Sequence, residues 1–269
     1  MNRAQLIAAI RSKKSCLCVG LDTDIKKIPS HLSNTEDPVF EFNKAIIDAT
    51  LPYTVAYKVN TAFYEANGSK GWKSLERTVA YLPDSVFKIA DAKRGDIGNT
   101  TDMYASAFFE HMNFDSVTIA PYMGADSILP FLKYTDKWAI ILALTSNASS
   151  SDFQLKKLSG SNTELYREVL NLTSAMGTID NTMFVVGATK ASELKVIREL
   201  VPNHFLLIPG VGAQGGTVKD VFEGGANKDC GLLINSSRGI IYASPGEDFA
   251  EAAAKEARNL QQEMELLLK

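Results

Sequence analysis

Val86-Phe87-Lys88-Ile89-Ala90-Asp91-Ala92-Lys93-Arg94-Gly95-Asp96 opens apolar and closes charged. Residues 86–90 have the β-branched and aromatic content of a buried strand, and a helical pattern at 102–112 follows. That is one β-α unit, and the unit recurs along the chain. Strand-like runs fall at 16–21, 54–60, 86–90, 116–120, 138–144, 183–187, 205–208 and 232–234. Helical patterns fall at 39–50, 75–82, 102–112, 127–134, 164–176, 191–201, 218–222 and 247–268, with a further one at 5–13 ahead of the first strand. Asp37-Pro38 supplies a start signal for the helix at 39–50. Strict alternation predicts a parallel sheet with helices outside it. Eight such units in a chain of 269 residues match a (β/α)8 TIM barrel. An open doubly wound sheet shares the alternation and is the alternative. The expected architecture is α/β: a single barrel domain over residues 1–269 with an extra N-terminal helix.

Apolar residues make up 45% and charged residues 22%, as in ordinary globular chains. Net charge is −3, so no global basic field draws in nucleic acid or anionic lipid. An anionic ligand would have to be held by a few local donors. The N-terminus lacks the order of a signal peptide, because Arg11, Lys13 and Lys14 follow its short apolar stretch. No run approaches the ~20 apolar residues of a spanning helix. Cys16 and Cys18 read as small buried hydrophobes and Cys230 has no obvious mate, a usage that suits a reducing, cytoplasmic setting. His31, His111 and His204 show no metal-ligand spacing and read as surface or locally hydrogen-bonded.

Barrel sites lie at the C-terminal ends of the strands, so the polar residues delivered there carry the chemistry. Strand one delivers Asp22 and strand two Lys58. Strand three delivers Asp91, Lys93 and Asp96, and strand five delivers Thr145-Ser146. Side chains alternate along a strand, which puts Phe87, Ile89, Asp91 and Lys93 on one face. Facing inward, Asp91, Lys93 and Lys58 would form an alternating array in which burial costs are offset by mutual neutralisation. A simple strand-end salt bridge is the plainer reading. The stretch Pro209-Gly210-Val211-Gly212-Ala213-Gln214-Gly215-Gly216 lets backbone N–H groups approach an anion, and Arg238 after strand eight can grip phosphate bidentately. A polar stretch, 146–151, is suited to a mobile flap.

Asp91-Ala92-Lys93-Arg94-Gly95-Asp96 resembles the Asp-x-Lys-x-x-Asp signature of the orotidine 5′-phosphate decarboxylase family, with Thr100 four positions after the second Asp. The likeness extends along nearly the whole chain. Thr145-Ser146-Asn147, Asp152-Phe153-Gln154 and Asn235-Ser236-Ser237-Arg238-Gly239 resemble the longer-chain subgroup of that family. The resemblance implies that Asp22 and Lys58 bind ribose hydroxyls and that Asp91 sits beside the scissile carboxylate. Lys93 would stabilise the C6 carbanion and then protonate it. Asp96 and Thr100 would reach into the partner's site of a homodimer. Ser146 would read the pyrimidine edge, Gln214 would bridge base and phosphate, and Arg238 would hold phosphate. Pro209 and Ser237 complete the expected substrate contacts. The ligands implied are orotidine 5′-phosphate and uridine 5′-phosphate, with no cofactor, no metal, no nucleic acid and no membrane. One departure is visible: Ala148-Ser149 stand where the subgroup often has Pro-Gly, which bears on the flap's conformation.

Losing carbon dioxide from such a nucleotide leaves an anion on an sp² carbon without a conjugated sink. A fixed cation in a water-poor cavity is what that anion requires, and Lys93 between Asp91 and Asp96 fits the need. Three rivals share parts of the pattern. A metal-dependent sugar-phosphate decarboxylase or hexulose-phosphate synthase carries a Glu at the end of strand two, where Lys58 here repels a cation. A Schiff-base aldolase needs a neutral lysine, whereas carboxylate neighbours keep lysine charged. A non-catalytic nucleotide-binding barrel has no use for a buried Asp beside an anionic ligand.

Overall fold

The computed structural model describes residues 1–187, 191–210 and 216–268. Eight parallel strands close into a barrel: β1 (Leu17–Gly20), β2 (Ala56–Asn60), β3 (Phe87–Arg94), β4 (Ser116–Ile119), β5 (Trp138–Leu144), β6 (Thr182–Val186), β7 (Phe205–Pro209) and β8 (Leu232–Ser236). Each strand pairs with the next, and β8 returns to β1 through Leu17↔Ile234 and Cys18↔Asn235. The open-sheet alternative is thereby excluded.

The helices alternate with the strands: α1 (Arg3–Lys13), α2 (Pro38–Thr50), α3 (Ala62–Glu65), α4 (Gly68–Tyr81), α5 (Gly98–Ser106), α6 (Leu129–Leu132), α7 (Leu165–Ser174), α8 (Ala191–Leu200), α9 (Val218–Gly225), α10 (Arg238–Ile241) and α11 (Phe249–Leu267). The start signal works as read: Pro38 opens α2 and the Asp37 carboxylate accepts the Phe40 N–H. α4 begins seven residues earlier than the apolar pattern suggests, because its first turns are glycine- and lysine-rich and show no apolar period. Gly71 in that segment is needed for packing, since a Cβ there would lie 1.8 Å from the Tyr64 carbonyl oxygen. The helix expected at 127–134 shrinks to α6, and the one expected at 102–112 changes to π geometry over Ala107–His111.

Phe87 on β3, Trp138 on β5 and Phe205 on β7 meet edge to face, with ring centroids 5.8 and 6.2 Å apart. These strands are not neighbours, so the rings can meet only across the barrel interior. They are a filled layer, not the wall of a pore. On β3, two and four residues beyond Phe87 lie Ile89 and Asp91, which carry the same face up to the mouth. Below the layer, α1 closes the barrel floor. Arg3 donates to the carbonyls of Ile179 and Asn203 and pairs with Asp229. Cys16 and Cys18 are fully buried, as expected of small hydrophobes. Among the described residues, no helix is long and apolar enough to cross a membrane.

His204 departs from the surface reading. It is 8% exposed, its ring faces Phe184, and neither ring nitrogen has a partner among the described residues. Burial, then the charges of Arg3 and Arg198, lower its pKa from 6.5 to about 4. The folded protein therefore keeps His204 neutral where the unfolded chain already binds a proton. This contribution to stability is intact above pH 6.5 and is lost as pH falls towards 4. Urea unfolding between pH 7 and 5 should show a shallower loss of stability in His204→Gln than in the parent; equal slopes would remove His204 from the account.

Candidate active site

Four charged side chains alternate across the mouth of the barrel. Asp22, two residues past the end of β1, accepts from Lys58 Nζ at 3.2 Å. Lys58 also donates to Asp91 Oδ2 at 3.0 Å, and Lys93 donates to Asp91 Oδ1 at 2.6 Å. Lys58 is 4% exposed, while about half of the Lys93 side chain is exposed. Two acids and two ammoniums sum to zero, which offsets the cost of removing them from water. Burial alone would depress Lys58, but Asp91 and Asp22 outweigh it and hold its pKa above the ordinary lysine value. Burial likewise pushes Asp91 up, yet Lys58 and Lys93 bring its pKa down to about 2. Both groups therefore stay charged at neutral pH.

Simple strand alternation does not place Lys93. The β3–β4 register runs from Ala90↔Val117 to Arg94↔Ile119 with a shift between. Lys93 takes φ +46°, a left-handed conformation that costs an L-residue roughly 1–2 kcal/mol. The chain bends there, so Lys93 returns over Asp91 while Arg94 turns away to pair with Glu65. Asp96, expected beside Lys93, does not touch it within the chain. Its carboxylate accepts the neighbouring Ile97 N–H at 2.8 Å. Thr100 lies exposed on α5.

A cavity of about 500 Å³ opens above the array, lined on one side by Asp22, Lys58 and Asp91 and on the other by Pro209, Ser237 and Arg238. Gly20 must be glycine here, because a Cβ would meet Ser237 Oγ at 1.8 Å. The exposed Arg238 guanidinium has no partner among the described residues, and Gly210 takes φ +87°. Gln214 lies outside the described residues. Ser146 is half-buried at the start of the loop after β5, against Gly187. That loop is more structured than a plain flap. Gln154 accepts the Thr145 N–H at 2.7 Å and donates to the Thr145 hydroxyl at 2.8 Å, and Lys157 bridges to Glu164. The structure also brings in Asn60 and Asn235, which sequence reading left without a role. Both stand at polar strand ends, and that signal was available. Thr118 also enters the site, and nothing distinguished it from its β-branched neighbours. Among the described residues, no group of three His, Cys, Asp or Glu side chains is arranged to hold a metal ion.

Residues 15–255 match the family described as Orotidine 5′-phosphate decarboxylase / HUMPS. The chain belongs to this family. A relative from Phocaeicola vulgatus named orotidine 5′-phosphate decarboxylase is 56% identical, covering 100% of this chain and 99% of its own length. One of the same name from Flavobacterium johnsoniae is 58% identical over 98% of this chain and 97% of its own. The solved structure of Leishmania donovani OMP decarboxylase superposes with TM-score 0.80 at 34% identity, covering 97% of this chain and 99% of that one. The family match begins just after α1, and the alignment with the Phocaeicola vulgatus relative extends over that helix as well.

Proposed function

We propose that this chain decarboxylates orotidine 5′-phosphate to uridine 5′-phosphate in pyrimidine biosynthesis, without a cofactor and in the cytoplasm. The observation that carries this reading is the neutral Asp22–Lys58–Asp91–Lys93 array, whose Asp22, Lys58 and Asp91 line a cavity shared with Arg238. Phosphate would sit against Ser237, Arg238 and the Gln214 loop, with the ribose hydroxyls on Asp22 and Lys58. Ser146 would meet the pyrimidine edge, bringing C6 towards Asp91 and Lys93. The bond from C6 to the carboxylate breaks, its electron pair stays on C6, and carbon dioxide leaves. The Lys93 ammonium stabilises that pair and then transfers a proton to it, and solvent restores the proton. Fixed charge needs little reorganisation during the reaction, which makes such stabilisation effective. Asp91 beside the substrate carboxylate adds repulsion that is relieved as carbon dioxide departs.

The site is read as completed by a second copy of the chain. Near Asp96 and Thr100 in the chain, Ile97 and Met103 are 55% and 65% exposed, and the Asp96 carboxylate is not used by its own Lys93. The partner's Asp96 would clamp Lys93 from the side opposite Asp91. A magnesium-dependent reaction is disfavoured by the buried Lys58 ammonium, which stands where a metal-binding carboxylate would be required.

Incubating purified, chelator-treated protein with orotidine 5′-phosphate should lower the nucleotide's ultraviolet absorbance as it becomes uridine 5′-phosphate. No change at saturating substrate would reject the reading. Arg238→Ala removes a charged hydrogen bond to phosphate, a contact worth about 1.5–3 kcal/mol. Its KM should rise roughly 10- to 100-fold with a smaller change in kcat. An unchanged KM would contradict the phosphate assignment.

A further inference from the structure

Thr118, in β4, is 1% exposed, and its hydroxyl makes two contacts. The Lys93 backbone N–H donates to Thr118 Oγ at 2.9 Å, and that oxygen lies 3.1 Å from Asp91 Oδ1. The direction of both bonds is determined. An N–H can only donate, so the hydroxyl oxygen accepts from Lys93. An ionised carboxylate can only accept, so the single hydroxyl proton goes to Asp91.

These contacts sit at the irregularity of the barrel wall. With Ala90 opposite Val117 and Arg94 opposite Ile119, the segment from Asp91 to Lys93 faces Thr118 alone. A bulge leaves backbone groups without ladder partners and re-aims the side chains it carries. Here the Thr118 hydroxyl replaces the missing acceptor at Lys93, the residue held at φ +46°. Such a conformation persists only where its surroundings over-determine it. The same hydroxyl also fixes Asp91. Lys58 holds Oδ2, and Oδ1 is shared by Lys93 Nζ and Thr118. Thr118 is therefore bonded both to the backbone that carries the ammonium and to the carboxylate that aims it.

We infer that Thr118 is a positioning residue for decarboxylation: its hydroxyl sets the orientation of Asp91 and the left-handed turn at Lys93, and through them where the Lys93 ammonium stands. This rests on the role proposed for Lys93. Thr118 touches no reacting atom, and its effect belongs in the chemical step, not in nucleotide binding.

Thr118→Val keeps the shape and removes the hydroxyl, whereas Thr118→Ser keeps the hydroxyl and removes a methyl group. The readouts are the single-turnover decarboxylation rate and the Kd for uridine 5′-phosphate, with Lys93→Ala measured in parallel. A misplacement of this kind slows chemistry by up to about 100-fold. The expected result is a rate about 10- to 100-fold lower in Thr118→Val, a Kd within about threefold of the parent, and near-parental values in Thr118→Ser. A parental rate in Thr118→Val overturns the inference, as do equal losses in the Val and Ser variants or a loss confined to Kd. If Thr118→Val does not fold, Thr118→Cys, with its weak donor, should be slowed, and a parental rate there overturns the inference. An inactive Lys93→Ala beside a normal Thr118→Val removes only the Thr118 assignment. A normal Lys93→Ala removes the parent reading and this one together.

Discussion

Lys93→Ala is expected to lose nearly all turnover while still binding uridine 5′-phosphate. Removing a single neutral donor from a preorganised site commonly costs about 10²–10³ in kcat. Lys93 is a full charge and also the proposed proton donor, so a loss above roughly 10³-fold is expected. Binding should survive, because the contacts assigned to phosphate and ribose lie on other strands, at Arg238 and Ser237 after β8, Lys58 on β2 and Asp22 after β1. The substitution also leaves Asp91 with Lys58 as its one ammonium partner. Steady-state kinetics and nucleotide titration check the two halves separately. Turnover within tenfold of the parent would remove Lys93 from the chemistry.

The second large effect concerns Asp96. Asp96→Ala alone should be nearly inactive, although its carboxylate touches no charged group among the described residues of its own chain. Mixed with Lys93→Ala and allowed to exchange subunits, it should recover activity. A hybrid dimer would pair an intact Lys93 on one chain with an intact Asp96 on the other, rebuilding one site of two. Random exchange of a two-fold dimer would restore about a quarter of all sites. Hybrids verified by mass and found inactive would contradict the shared site.

The barrel was legible because eight buried strands write short β-branched runs between longer amphipathic stretches; the alternation is shared with an open sheet, and it is the pairing of β8 with β1 that closes the barrel. The array was legible because charges at the ends of apolar strands converge on one face. Its construction was not. Alternation places Asp91 and Lys93 on one side, but the chain reaches that result through a left-handed lysine. Lysine carries no sequence mark for positive φ, unlike glycine or asparagine. Thr118 stayed hidden for a related reason, since a hydroxyl among Ser116, Val117 and Ile119 looks like ordinary strand content. His204 was misread because no periodicity reports that Arg3 and Arg198 would pack around it. Asp96 was named from its place after strand three and from the signature; its local sequence says nothing of a second chain.

The central claim is that the Lys93 ammonium stabilises a carbanion at C6 and returns a proton to it. The same path run backwards removes the C6 proton of the product. Uridine 5′-phosphate held in deuterium oxide with the parent protein should therefore exchange its C6 hydrogen for deuterium, followed by proton NMR. Lys93→Ala, at matched nucleotide occupancy, should exchange it no faster than buffer does. Equal exchange by the two proteins would contradict the claim.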